Sequence, residues 1–270
     1  MLQAARSSLK RHLIAGAVLL AASAAQAVPI YWTDWTSASS TTPTSSPFTA
    51  QGTITTPTSS VTVSYSNPQG IGFAQVGGGT DWWVNAGGAR NDAISPYTSA
   101  AVDNSPTGTD ILALQFAGLQ TLVFSEAIAN PVFAYVSLNG NGYAFDQDFE
   151  ILSVGGVDGN ACGYWGCGTS YKQVVTLPNG QVEYQLLGTG EPHGTLRFTG
   201  TFSQVSWRSL SNEYWNGFTV GVQGTAVEVC ETNPTLPGCT PNGSVPEPVS
   251  LALIGLGLGG LGLARRRRAA

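Results

Sequence analysis

The chain has 270 residues, 42% of them hydrophobic and 10% charged, with a formal net charge of −5. Its cations crowd the two ends. Between residues 28 and 245 only Arg90, Lys172, Arg197 and Arg208 stand against fifteen Asp and Glu, 4 against 15, which leaves that stretch at −11. So acidic a body repels phosphate backbones and excludes nucleic acid as a partner, and its length suffices to bury the core of one large domain.

At the N-terminus, Arg6, Lys10 and Arg11 precede an apolar stretch at 13–24 and an A-x-A site at Ala25, Gln26 and Ala27. This is the pattern of a secretory signal peptide, a helix removed after Ala27 so that the mature chain starts at Val28. The expected partners here are the export machinery and a signal peptidase. Such a route places the body in an oxidising compartment, where Cys162, Cys167, Cys230 and Cys239 can form disulfides. Four cysteines allow three pairings. The sequence-local one joins Cys162 to Cys167 and Cys230 to Cys239, closing small loops that contribute roughly 2 to 3 kcal/mol each by chain entropy. A zinc site would need closer spacing or histidine partners.

The body from 28 to 231 reads as all-β. Glycine, threonine, serine, valine and aromatics dominate it, and no stretch keeps a helical period. Residues 37–60 are rich in serine, threonine and proline and predict an extended, glycosylation-prone segment in which 51–55 forms at most a peripheral strand. Residues 61–65 alternate apolar and polar. So do Leu112, Leu114 and Phe116, then Leu122 and Phe124 beyond Gly118. Residues 132–138 are apolar on both faces, as a strand between two layers should be. Residues 145–154 predict one strand. Residues 174–177 turn through Pro178, Asn179 and Gly180 into 182–184, and Asn-Gly between two such runs is a hairpin signal. Residues 195–198, 202–207 and 218–222 complete a set of short strands that predicts a two-sheet β-sandwich of jelly-roll or related topology. Strand order is not readable. Residues 232–245, with Pro234, Pro237 and Pro241, read as a proline-rich stalk.

The chemistry-bearing residues are few. His193 is the one histidine of the body, in a turn-like Gly-Glu-Pro-His-Gly context with no G-x-S-x-G elbow, so a hydrolytic triad is not expected. No phosphate-cradling fingerprint is present. Asp146, Asp148 and Glu150 alternate along the expected 145–154 strand, too crowded to act as an acid and a nucleophile across a glycosidic bond. With Asp158 they are candidate calcium ligands, set against the plainer reading of a solvent-facing edge. No cofactor is otherwise implied. Loop aromatics are the remaining candidates: Trp82 and Trp83, Tyr164 and Trp165 inside the Cys162–Cys167 loop, and Tyr214 and Trp215. Their flat faces suit sugar stacking, with Glu213 or Asn216 binding hydroxyls. Glycines at 163, 166 and 168 would keep the Cys162–Cys167 loop compact, with its disulfide holding Tyr164 and Trp165 outward.

The C-terminus is tripartite. Pro246, Glu247 and Pro248 open an apolar run at 249–264 that stops at Arg265, Arg266, Arg267 and Arg268. Sixteen helical residues rise roughly 24 Å, a short match to a hydrocarbon core of about 30 Å, and the arginines favour the cytoplasmic side. This segment predicts a transmembrane helix that would hold the precursor in the inner membrane.

Box, apolar run and basic end together resemble the PEP-CTERM sorting signal of Gram-negative bacteria, over about 25 residues at 246–270. The resemblance implies recognition by a membrane-embedded exosortase that cuts near the box and passes the protein to the cell surface. Pro246, Glu247 and Pro248 would be the recognition box and Arg265 to Arg268 the retention block. Stretches of the body such as 130–134, 149–153, 191–196 and 217–221 are similar to uncharacterised ectodomains with this tail, which brings no activity with it. The expected protein is therefore a non-enzymatic cell-surface or matrix component linked to exopolysaccharide or biofilm. The alternative is a carbohydrate-binding module, or a glycan-active enzyme, on a β-sandwich.

Overall fold

The computed structural model describes residues 28–239. The signal peptide with its Ala25 and Ala27 site, the apolar run at 249–264, the Pro-Glu-Pro box and the arginine block lie outside the described residues. Strands run in chain order as β1 (Tyr31–Trp32), β2 (Asp34–Ala38), β3 (Phe48–Thr55), β4 (Ser60–Asn67), β5 (Phe73–Gln75), β6 (Ile111–Leu114), β7 (Gly118–Ala129) and β8 (Val132–Val136). They continue as β9 (Gly142–Phe145), β10 (Phe149–Val154), β11 (Gly168–Thr176), β12 (Val182–Gly190), β13 (Gly194–Phe198), β14 (Thr201–Ser209), β15 (Asn216–Val222) and β16 (Gly224–Thr225), closed by helix α1 (Ala226–Thr232).

Two antiparallel sheets result. One has the order β10-β13-β8-β15-β6-β5 with β1 added beside β15; the other has the order β11-β12-β9-β14-β7-β4-β3-β2 with β16 added beside β7. From β6 onward the chain changes sheet at every connection except the β11–β12 hairpin. That hairpin follows the Asn-Gly signal, with Gly180 at φ 85° closing its turn.

Between the sheets lies an aromatic core. Phe133 of β8 stacks on Phe218 of β15 at 5.9 Å and meets Phe145, Phe198 and Trp207 edge-on at 5.3 to 5.9 Å. Edge-to-face geometry sets the positive ring edge against the negative face, which adds to area burial. Alternation on β8 sends Phe133 and Tyr135 inward and Val132, Ala134 and Val136 outward, yet all five are buried. The outward set is covered by Ile30 and Trp32 and by Trp83, Tyr97 and Val102 of the long β5–β6 connection, which forms a partial third layer. Gly221 makes this cover close: a Cβ there would lie 2.7 Å from Cε3 of Trp32.

Three expectations are corrected. Residues 145–154 are not one strand, because the chain leaves one sheet at Phe145, turns, and enters the other at Phe149. Residues 37–60 are not a loose peripheral segment: β3 pairs on both sides, with β2 and β4, and buries Phe48, Ala50 and Ile54. The stretch expected to begin a stalk at 232 stays folded as far as Cys239. Leu236 is 7% exposed there, Pro237 and Gly238 lie against Gly200 and Thr201, and α1 just ahead of it is fixed by a capping box between Thr225 and Glu228. That box satisfies orphan N–H groups at the helix start, and hydrogen bonds from Thr58, Thr225 and Thr56 outweigh partial burial to hold the Glu228 carboxyl down to about 2.

Candidate functional site

Four of the loop aromatics singled out in the sequence, Trp82, Tyr164, Trp165 and Trp215, come from three separate segments, and the fold brings them to one end of the sandwich. Trp82 is the centre. Its ring lies 4.7 Å from Tyr164, 5.7 Å from Trp165 and 5.1 Å from Trp215, the Trp165 contact being stacked at 26° and the others edge-on. Trp165 and Trp215 are 6.5 Å apart, and Phe73 of β5 supports both Trp82 and Trp215 from beneath. Trp165 remains 51% exposed and Tyr164 36%, while Trp82 and Trp215 are half-buried.

Each segment is held by bonds that the local sequence explains. Cys162 and Cys167 are disulfide-bonded with Cα atoms 4.7 Å apart. Inside that ring Gly163 and Gly166 exchange backbone hydrogen bonds of 3.1 Å in both directions, so Tyr164 and Trp165 occupy the tip of a two-residue turn. Gly166, at φ 131°, adopts a conformation that side chains rarely reach. Gly163 is required for a second reason: a Cβ there would meet Cγ of His193 at 2.2 Å. The ring is tied to the Trp82 loop by the Ala86 N–H, which donates to the Cys162 carbonyl at 2.8 Å.

The Trp82 loop is itself pinned. Arg90 donates to both oxygens of Asp81 at 2.6 and 2.7 Å and to the carbonyls of Pro106 and Gly108. Trp83 turns inward, fully buried, and its indole N–H donates to the Asp110 carbonyl at 3.0 Å. The Asp110 carboxylate accepts from the N–H groups of Trp35 and Gly77, while burial pushes its pKa up. The adjacent tryptophans therefore divide, Trp83 into the cover of the sheet and Trp82 into the shelf.

A polar row borders the aromatics. Glu191 takes the Cys167 carbonyl through its N–H at 3.1 Å, and its carboxylate accepts from Asn139 at 2.8 Å and from Ser137. Glu213, two residues before Trp215, accepts from Asn216 Nδ2 at 3.0 Å. Its other oxygen is buried without a partner among the described residues, and burial pushes its pKa up to about 7. Asn216 is fully buried and also bonded to the Tyr143 hydroxyl, so it braces Glu213 and cannot itself meet a ligand, contrary to expectation. Tyr214 is 87% exposed and stands apart from the aromatic contacts.

The acidic candidates are dispersed. Asp148 is ion-paired with Lys172 at 2.8 Å, Glu150 with Arg197 at 2.8 Å, and Asp146 borders a groove with Leu177, Val182 and Arg208. Asp158 sits in a turn after β10 at φ 53°. Among the described residues no group of three or more His, Cys, Asp or Glu side chains converges as metal ligands. All four Lys and Arg of this region are in ion pairs, the fourth being Arg208 with Glu183 at 2.7 Å. The second disulfide, Cys230–Cys239, has its Cα atoms 5.5 Å apart and joins α1 to the last described residue. Among the described residues no helix is long and apolar enough to cross a membrane.

The fold and shelf thus define an all-β sandwich with a surface aromatic platform. A family profile, the PEP-CTERM protein-sorting motif, matches residues 244–268, so the chain carries that motif downstream of the sandwich. No curated protein and no solved structure matches the chain.

Proposed function

We propose that this protein is exported, held briefly in the inner membrane by its C-terminal apolar run, and released to the cell surface or matrix by an exosortase. The PEP-CTERM motif at 244–268 carries the reading. An N-terminal signal peptide ending at Ala27, two disulfides and an acidic body whose cations are all paired support it. The chain's repeated crossing between sheets supports a jelly-roll type of sandwich. Its role is non-enzymatic and belongs with extracellular polysaccharide or biofilm, with no metal or cofactor taking part. The aromatic assembly favours a second reading, in which the displayed domain is itself a carbohydrate-binding module. Sorting is tested by replacing Glu247 with alanine or deleting Arg265 to Arg268 in a host with an exosortase. The expected outcome is a precursor trapped in the membrane or a mature product of altered mass. A product unchanged in mass and location refutes the sorting route.

A further inference from the structure

The shelf and the chain's exit lie at opposite ends of the sandwich. Strand β15 begins at Asn216, beside Trp215, where it pairs with Leu114, and ends at Val222, beside β1. The neighbouring β8 runs from Val132, opposite Gly221, to Val136, opposite Gly217. The exit is at the Val132 end. Asn130 takes the Gly200 carbonyl at 2.8 Å, and Pro237 and Gly238 lie against Gly200 and Thr201 just before the last described residue. Seven residues of strand separate the two ends by about 20 Å at roughly 3.3 Å per residue. The last described residue, Cys239, therefore lies at the end of the sandwich away from the shelf.

The shelf's chemistry narrows what it can meet. Trp82 stacks on Trp165 at 5.7 Å and 26°, and Trp165 keeps about half of its surface, 51%, open to solvent. A flat π face attracts the weakly positive C–H groups on the underside of a pyranose ring, and the part-exposed Glu191 and Asn139 are hydrogen-bond partners for ring hydroxyls. Among the described residues an anionic polymer would find no unpaired cation, since Arg90, Lys172, Arg197 and Arg208 are all engaged and eleven carboxylates remain unneutralised. The disulfide and the two-residue turn fix Tyr164 and Trp165 before any ligand arrives, which lowers the ordering cost of binding.

We propose that Trp82, Tyr164, Trp165 and Trp215 form a preorganised stacking platform for uncharged polysaccharide, held in register by the Cys162–Cys167 disulfide. This deepens the carbohydrate-binding reading and rests on it, while the sorting route stands or falls separately, because binding is measured on purified protein. The test uses the full chain in detergent with Arg265 to Arg268 replaced by glutamine, so that the basic tail cannot draw an anionic polymer; it is sedimented with insoluble cellulose, chitin or β-1,3-glucan and run by affinity electrophoresis through alginate as the anionic control. This parent chain should be retained by at least one neutral polymer and not by alginate. Trp165→Ala should weaken retention about tenfold, and the Cys162→Ser/Cys167→Ser double variant should weaken it several-fold. Circular dichroism and melting confirm that Trp165→Ala is folded, as expected for so exposed a side chain. Retention unchanged by Trp165→Ala, preference for alginate, or no retention on any neutral polymer overturns the proposal. So does a wild-type dimer that Trp165→Ala turns into a monomer, which would make the platform a self-association face.

Discussion

His193 should make the protein lose stability on mild acidification. The side chain is fully buried, its Nδ1 lies 3.1 Å from the Tyr97 hydroxyl, and its Nε2 has no partner among the described residues. Gly163 packs on the ring with no room for a Cβ, so water cannot enter on that side. Desolvation lowers the pKa from 6.5 to about 4. As pH falls through 6.5 the unfolded chain takes up the proton and the folded chain does not, so stability drops until the folded state also protonates near pH 4. Between pH 7 and pH 5 the loss from this one group is about 2 kcal/mol, since one pKa unit is worth about 1.4 kcal/mol.

Glu213 acts in the opposite sense. Its carboxyl is raised from 4.5 to about 7, so ionisation costs stability as pH rises across that window, and a wild-type curve alone would mix the two. The comparison that isolates His193 is urea unfolding of the oxidised wild type and of His193→Gln at pH 5, 6 and 7. Whatever the variant loses overall, the gap between the two curves should move by about 2 kcal/mol in the variant's favour from pH 7 to pH 5. In melting experiments that is about 4 to 8 °C for a domain of this size. Parallel curves would refute the reasoning, because they would mean that the imidazole is solvated or titrates equally in both states.

Two further effects concern packing alone. Phe133→Ala should cost about 3 to 5 kcal/mol, because the ring touches four other aromatics between the sheets and the cavity cannot collapse around them. The urea midpoint should fall with an unchanged slope. Thr225→Ala removes one half of the capping box and should cost about 1 kcal/mol, read by the same unfolding experiment with the Cys230–Cys239 disulfide intact.

Strands with large inward side chains were legible from alternation. Val61, Val63 and Tyr65 of β4, and Leu122 and Phe124 of β7, are buried at the expected positions, and the doubly apolar β8 is covered on both faces. What stayed hidden has physical causes. The inward positions of β3 include Ala50 and Gly52, too small to show a period, and Gly52 is required there because a Cβ would meet Thr33 at 2.5 Å. The change of sheet at 146–148 was invisible because Phe145 and Phe149 both face the common core, one from each sheet, and so mimic a single alternating strand. At the site, Tyr164, Trp165 and Trp215 were recognisable as loop aromatics, and Trp82 could not be told from Trp83. Only the Asp110 carbonyl, which captures the Trp83 indole, separates the pair. Phe73, Glu191 and Asn139 carried no signal, since each reaches the site through pairings with distant segments.

The same back-and-forth path between the sheets has a kinetic consequence. Outside the β2–β3, β3–β4, β5–β6 and β11–β12 pairs, no two consecutive strands are hydrogen-bonded neighbours, so most pairings wait for remote parts of the chain. A topology of this kind closes large loops before it gains contacts, and such domains fold in milliseconds to seconds, far behind helical ones. For a polypeptide routed as proposed, the delay is useful: the chain stays threadable while its leading end is already in transit.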